Sequence, residues 1–178
     1  IYVVKTSQDQ LRGAIQSAAV AEVRSVQEEI DRLIRVRTSV WEEYSANGKV
    51  HAALARSNDM LGAKEGLPGG IAVLWEREEQ RSEIPEGYLD RDLARELGSA
   101  VDKMTELSGT RIFREVMLTN AFGGVVAGSG FTPEYLHDGN LWWKEAKANG
   151  RYIGDVNVHR NGGREEDVSI GFSCRIDD

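Results

Sequence analysis

Between Ser7 and Tyr44 the chain contains no proline and a single glycine, Gly13. Apolar residues recur there at Leu11, Ile15, Ala19, Val23, Val26, Ile30, Leu33, Val40 and Tyr44. From Val23 to Tyr44 the steps alternate three and four, broken only where Arg37 occupies the seam. That is the period of an α-helix and close to a heptad. At 1.5 Å per residue such a helix runs roughly 55 Å, longer than a small domain is wide. It must therefore project from its domain or lie beside a copy of itself. The spacing predicts a homodimer through this helix, with Arg37 weakening the contact locally.

The rest of the chain reads as short elements. Asn47-Gly48 in "SANGKV" is a helix C-cap signal, and a shorter helix from about Val50 to Met60 follows. "GAKEGLPGG" is a loop, residues 71–81 are helical, and "SEIPEGYL" is a turn. Asp90 is the expected N-cap of a helix carrying Leu93, Leu97, Val101, Met104 and Leu107 on one face, stopped by Gly109. After Gly109 the pattern changes. "RIFREVMLT" and "VVAGS" read as strands around the turn "NAFGG", residues 139–149 resume helical spacing, and "RYIGDVNV" and "DVSIGFSCRI" form a hairpin around "HRNGG". Helices first and antiparallel strands afterwards indicate the α+β class. Two parts are expected: residues 1–60, the long helix and its successor, and residues 61–178, a helical lead-in over 61–109 with a sheet over 110–178.

Composition narrows the function. Forty per cent of the 178 residues are apolar, enough for a core. The formal net charge of −7 argues against a nucleic-acid partner, because phosphate binding needs a basic surface. Cys174 is the only cysteine, which excludes an intrachain disulfide and a thiolate metal cluster. No apolar run approaches the roughly 18 residues of a membrane span. The chain has neither a signal peptide nor an initiator Met, and "IYVVKTSQDQ" reads as the start of a piece of something longer. Ile1 to Val4 then read either as the last turn of a membrane helix with Lys5 at the interface or as an ordinary apolar start.

The stretch "FREVMLTNAFGGVVAGSGFTPEYLHDGNLWWKEAKANGRYIGDV" resembles the extracytoplasmic PAS-like sensor domains called Cache domains. The residues that carry the resemblance are Glu115 to Asn120, Gly124 to Ser129, Tyr135, Trp142 and Trp143 with Ala146, and Tyr152 to Asp155. They appear in the family's order across residues 110–176, behind a long helix that is also a family feature. The resemblance implies a PAS-like antiparallel sheet, whose fifth strand would lie beyond "CRIDD". It also implies that one of the adjacent tryptophans faces the sheet as core while its neighbour walls a ligand cavity.

Departures from the family pattern shape the ligand. Members that bind amino acids carry a Y-x-x-x-x-R-x-W-Y run, and counting from Tyr135 places Asn140 at the Arg position and Trp143 at the final Tyr. The later Asp position falls near His159. Both charges that clamp a zwitterion are thus missing from their places, and a buried carboxylate without a partner is costly. An amino acid is not the expected ligand. A neutral or singly charged metabolite is, held by Ser129, Tyr135, Asn140, Trp142, Tyr152, Asp155 and Asn157.

Other motifs are weaker. "GGVVAGSG" lacks the G-K-[ST] ending of a phosphate loop. Asp155, Asn157 and Glu166 stand at the first, third and twelfth positions of a calcium loop, but Arg160 replaces its glycine and His159 fills the fifth place. His51, His137 and His159 show no ligand spacing. No Ser or Cys has a nucleophile's context, and "EREEQRSE" reads as a solvated helical face. No catalytic residue, metal or cofactor is expected. The expectation is a periplasmic or extracellular ligand-sensing input domain of an inner-membrane receptor attached to membrane segments. A histidine kinase is the favoured output; a chemoreceptor, a cyclase or a phosphatase would share the same input. The alternative is a scaffolding coiled-coil protein with a passive α+β head.

Overall fold

The computed structural model describes residues 2–62, 70–160 and 166–177. It is α+β, a mainly helical chain with two small antiparallel sheets. The chain divides into two compact units, Ile1–Glu43 and Tyr44–Asp178.

The first unit is one helix. α1 (Tyr2–Ser45) starts earlier than the apolar period requires and ends where it predicts. Its seam residues Val23, Val26, Ile30, Leu33 and Val40 are all exposed, from 68 % at Val23 to 37 % at Val40. Exposed ion pairs such as Arg32 with Glu29, one turn apart at 2.7 Å, add little. A stripe of that length left open to water is the unit's main feature.

The second unit begins with α2 (Gly48–Gly62). Asn47 starts this helix instead of ending α1, because its Oδ1 accepts from the Lys49 amide at 3.0 Å. That bond satisfies one of the amides a helix N-terminus leaves open. Val50, Ala53, Ser57 and Leu61 line the buried face of α2. α3 (Ile71–Glu76) stops short of the expected Arg81, since Arg77 is extended, and a 3-10 turn covers Glu78–Glu83. Arg81 is not on a solvated face. Its Nε donates to the Trp75 carbonyl at 2.7 Å and its guanidinium lies 3.7 Å over the Phe131 ring.

α4 (Arg91–Ser108) has the predicted ends. The Asp90 carboxylate accepts from the Leu93 amide at 2.9 Å, and Gly109 closes the helix at φ +70°. Leu93, Leu97 and Val101 are buried, but Leu107 in the last turn is 80 % exposed. The core gathers Leu61, Ile71, Trp75, Ile84, Tyr88, Val125 and Tyr135, drawn from helices, turn and strand alike.

Two hairpins follow. β1 (Met117–Thr119) pairs with β2 (Val125–Gly128), Leu118 opposite Ala127. The strand expected over "RIFREVMLT" is short because Arg111 folds back, its guanidinium donating to the Phe113 and Arg114 carbonyls. α5 (Leu141–Asn149) leads into β3 (Arg151–Arg160), which pairs with β4 (Glu166–Cys174). Val156 faces Ile170, and the register slips between Ile153 and Val156. The hairpins form separate two-stranded sheets, not one PAS-like sheet. Backbone groups of β2 are used elsewhere: the Val125 amide donates to Tyr135 O at 3.0 Å, and Val126 O accepts from the Asp90 amide at 2.7 Å. β3 is left to pair with β4 alone. Of the two expected loops, residues 63–69 and 161–165 lie outside the described residues.

Candidate ligand-binding segment

The segment 134–142 lies along the β1–β2 turn because two glycines leave room for it. At Gly123, φ is +87° and a Cβ would stand 2.5 Å from the Asp138 amide nitrogen. At Gly124 a Cβ would meet Asn120 Nδ2, Leu61 Cδ1 and the Tyr135 hydroxyl at 3.1–3.2 Å. Only glycine accepts such an approach and such a φ without strain. The segment is then pinned by two backbone bonds, Val125 N–H to Tyr135 O and His137 N–H to Gly123 O at 2.9 Å.

Asn120 organises the turn beneath. Its Oδ1 accepts from the amides of Phe122 and Gly124, and its Nδ2 donates to Ser57 Oγ at 2.9 Å, tying α2 to the turn. This is an Asx-type turn, and it buries the amide completely enough that every polar atom must be matched.

Tyr135 is buried in the core, its ring edge-on to Trp75 with centroids 5.5 Å apart. Burial, with Tyr88 nearby, pushes its phenol far above the ordinary range, so it stays protonated. Its hydroxyl is buried and has no hydrogen-bond partner among the described residues.

His137 is also buried, its side chain 6 % exposed. Asn140 Nδ2 lies 2.9 Å from His137 Nδ1 and 3.2 Å from Glu134 Oε2, so one amide bridges ring and carboxylate. Nε2 of His137 is buried with no partner among the described residues. Burial lowers the imidazole pKa, opposed by Glu134, and the neutral ring is favoured.

The tryptophan pair separates. Trp142 stands 5.2 Å from the His137 ring, and Trp143 lies under the Lys147 ammonium at 4.5 Å. Both are half-buried, and the buried residue of α5 is Ala146. The tryptophan that fills the core is Trp75.

Of the seven residues expected to hold a ligand, the structure gathers Tyr135, Asn140 and Trp142 in this segment. Ser129 is half-buried at the end of β2, where its Oγ accepts from the Val116 amide at 2.8 Å. Tyr152, half-buried, and Asp155 and Asn157, both exposed, stand on β3 in the other hairpin. Asn157 Nδ2 donates to the Asp155 carbonyl at 3.3 Å. Two open depressions, one on α1 (Gly13, Gln16, Ser17, Val20, Ala21, Arg24) and one on α4 (Asp92, Arg95, Glu96, Ser99), are lined by none of the seven. His137 and Asn120 escaped the sequence reading. The only signal was "NAFGG", an Asn ahead of two glycines, which marks a turn with its own side-chain bond.

Among the described residues no group of three or more His, Cys, Asp or Glu is placed to hold a metal ion. No helix among them is long and apolar enough to cross a membrane. Comparison with known proteins finds no matching family model, no similar curated protein and no similar solved structure.

Proposed function

We propose that this chain is the extracytoplasmic, Cache-like input domain of a transmembrane receptor, with a histidine kinase as the favoured output. The head takes a neutral or singly charged metabolite, and a homodimer through α1 passes the change on. The observation that carries the reading is the pair of buried polar atoms without a partner among the described residues, Tyr135 OH and His137 Nε2, in the segment where the resemblance puts the ligand loop. Buried polar groups are nearly always matched, so two unmatched polar atoms in one segment support a missing polar partner. Ligand capture works by population shift, the ligand binding one arrangement of the head better than the other.

A passive head on a coiled-coil scaffold is the second reading. It is favoured by the Tyr135 ring, which fills core instead of walling an open space. A thermal-shift screen of the whole chain against neutral and singly charged metabolites separates the two. A ligand at about 100 times its Kd adds about 2.7 kcal/mol to the stability of the folded state. Tyr135→Phe and His137→Ala should each blunt that shift. If no compound raises Tm and Tyr135→Phe alone raises it, the hydroxyl is merely an unmatched buried group and the scaffold reading stands.

A further inference from the structure

We infer that Arg81 and Phe131 form a second binding site, outside the segment 134–142, which takes a monocarboxylate with an apolar body in the fork of the Arg81 guanidinium. The inference goes beyond the receptor reading and does not rest on it.

The guanidinium is held in place by the fold itself. The Arg81 carbonyl accepts from the Ile84 amide at 3.2 Å and from Arg91 Nη2 at 3.3 Å. The same Nη2 donates to the Ser82 and Ile84 carbonyls at 2.8 and 2.7 Å. Arg91, the first residue of α4, thus ties down the end of the 3-10 turn that carries Arg81. Farther along the side chain, Arg81 Nε donates to the Trp75 carbonyl at 2.7 Å. Trp75 is fixed in turn, its indole N–H donating to Thr132 O at 2.9 Å. The guanidinium carbon lies 3.7 Å from the centre of the Phe131 ring and 5.2 Å from that of Trp75. A side chain held this way has already lost the rotamer freedom that binding would otherwise remove.

The stack leaves the fork open. A ring covers the face of a guanidinium, whereas its N–H bonds lie in its plane, so the two contacts do not compete. With Nε engaged, the Nη1–Nη2 edge remains. Arg32, Arg56, Arg95 and Arg175 direct their guanidinium groups to carboxylates. Among the described residues Arg81 has no such partner, and its Nη atoms make no hydrogen bond. Two N–H groups in one plane match the two oxygens of a carboxylate. Arg81 is half-buried, and Phe131 is 54 % exposed despite the stack, so apolar surface stands beside the charge. The exposed Glu76, Glu79 and Glu83 belong to the same stretch of a chain with net charge −7. A dianion meets more repulsion there than a monocarboxylate does.

The test titrates the full chain, carrying isotope-labelled arginine, with sodium benzoate and follows the guanidinium signals by NMR. Benzoate should shift the Arg81 Nε–H and slow exchange of its Nη protons, with a Kd of about 1–10 mM for a ligand of this size. Benzamide, its neutral counterpart, and sodium chloride at equal ionic strength should leave those signals in place, and inorganic phosphate should bind more weakly. Arg81→Lys keeps the charge but loses the planar fork, and should weaken benzoate at least about tenfold by calorimetry. His137→Ala should leave the Kd unchanged. Equal shifts with benzamide or chloride, shifts confined to other arginines, or tighter binding of phosphate would each overturn the inference. So would an unchanged Kd in Arg81→Lys. Loss of binding in His137→Ala but not in Arg81→Lys would place the carboxylate in the segment 134–142, overturning this site while supporting the sensor. If ligand-free melts show that Arg81→Lys no longer folds, the Arg81 signals of the unaltered chain decide alone.

Discussion

Substituting Gly123 tests how the head is assembled, because that residue meets both a backbone constraint and a steric one. At φ +87° a side chain is strained, a cost of about 1–2 kcal/mol for an L-residue. The added Cβ would also stand 2.5 Å from the Asp138 amide nitrogen and 3.0 Å from its Cα. These are backbone atoms of a segment held by hydrogen bonds, so relief requires the segment to move, at about 1–3 kcal/mol. Alanine restricts the unfolded chain and returns about 0.5 kcal/mol. Gly123→Ala should therefore destabilise the head by about 2–4 kcal/mol. Gly109→Ala is the control: φ is +70°, but nothing lies within 4 Å of the would-be Cβ. It carries only the backbone cost, about 1 kcal/mol. Urea unfolding followed by the emission of Trp75, which sits in the core, gives both values. Exchange of the His137 amide, which donates to Gly123 O, should accelerate more in Gly123→Ala than the global loss explains. Equal losses in the two variants, within about 0.5 kcal/mol, would refute the close-approach argument and leave only φ.

Other expectations follow from the same contacts. Asp90→Ala removes the cap of α4 and the 2.8 Å pair with Arg56, and should cost about 1–2 kcal/mol in chemical denaturation, whereas Asp90→Asn should keep most of the cap. Asn120→Ala strands the Gly124 and Phe122 amides and should cost about 2–4 kcal/mol, measured the same way. Because burial lowers the His137 pKa, the unfolded chain binds the proton first as pH falls. Stability is then complete above about pH 6.5, declines as pH drops below it, and levels off beneath the folded pKa. Thermal melts of His137→Gln should lose that part of the decline.

Helix ends were legible where one side chain does one job. Asp90 and Gly109 bracket α4 as expected, and the alternation of β3 and β4 gives Val156 facing Ile170. Asn47 was legible as a break and misleading as a role, because Asn ends helices through its backbone and starts them through its side chain; here the Oδ1 bond to Lys49 decides. Leu107 fits the period of α4 yet is 80 % exposed, because a period fixes which face of the helix a residue lies on and not how far along it the cover extends. The candidate site was legible in part. Tyr135, Asn140 and Trp142 come together, but Tyr135 is core because Gly123 and Gly124 let its segment lie against β2. That approach depends on backbone geometry that residue types alone do not specify. His137 shows no ligand spacing in the sequence, and its burial follows from the same approach. The separation of the two hairpins depends on which backbone groups β2 gives to Tyr135 and Asp90, a tertiary choice with no local signature.

The contact between Trp142 and His137 has an optical consequence. A protonated imidazole beside an indole withdraws its excited-state electron and dims its emission, whereas a neutral one does so far less. With the rings 5.2 Å apart, acidification should darken Trp142 as His137 takes its proton. Trp75, whose indole N–H donates to Thr132 O at 2.9 Å, and Trp143, already under the Lys147 ammonium, should change little. Trp142→Phe should then remove the acid-dependent part of the fluorescence and leave the rest. The molecule thus carries a gauge of one buried charge, readable without a label.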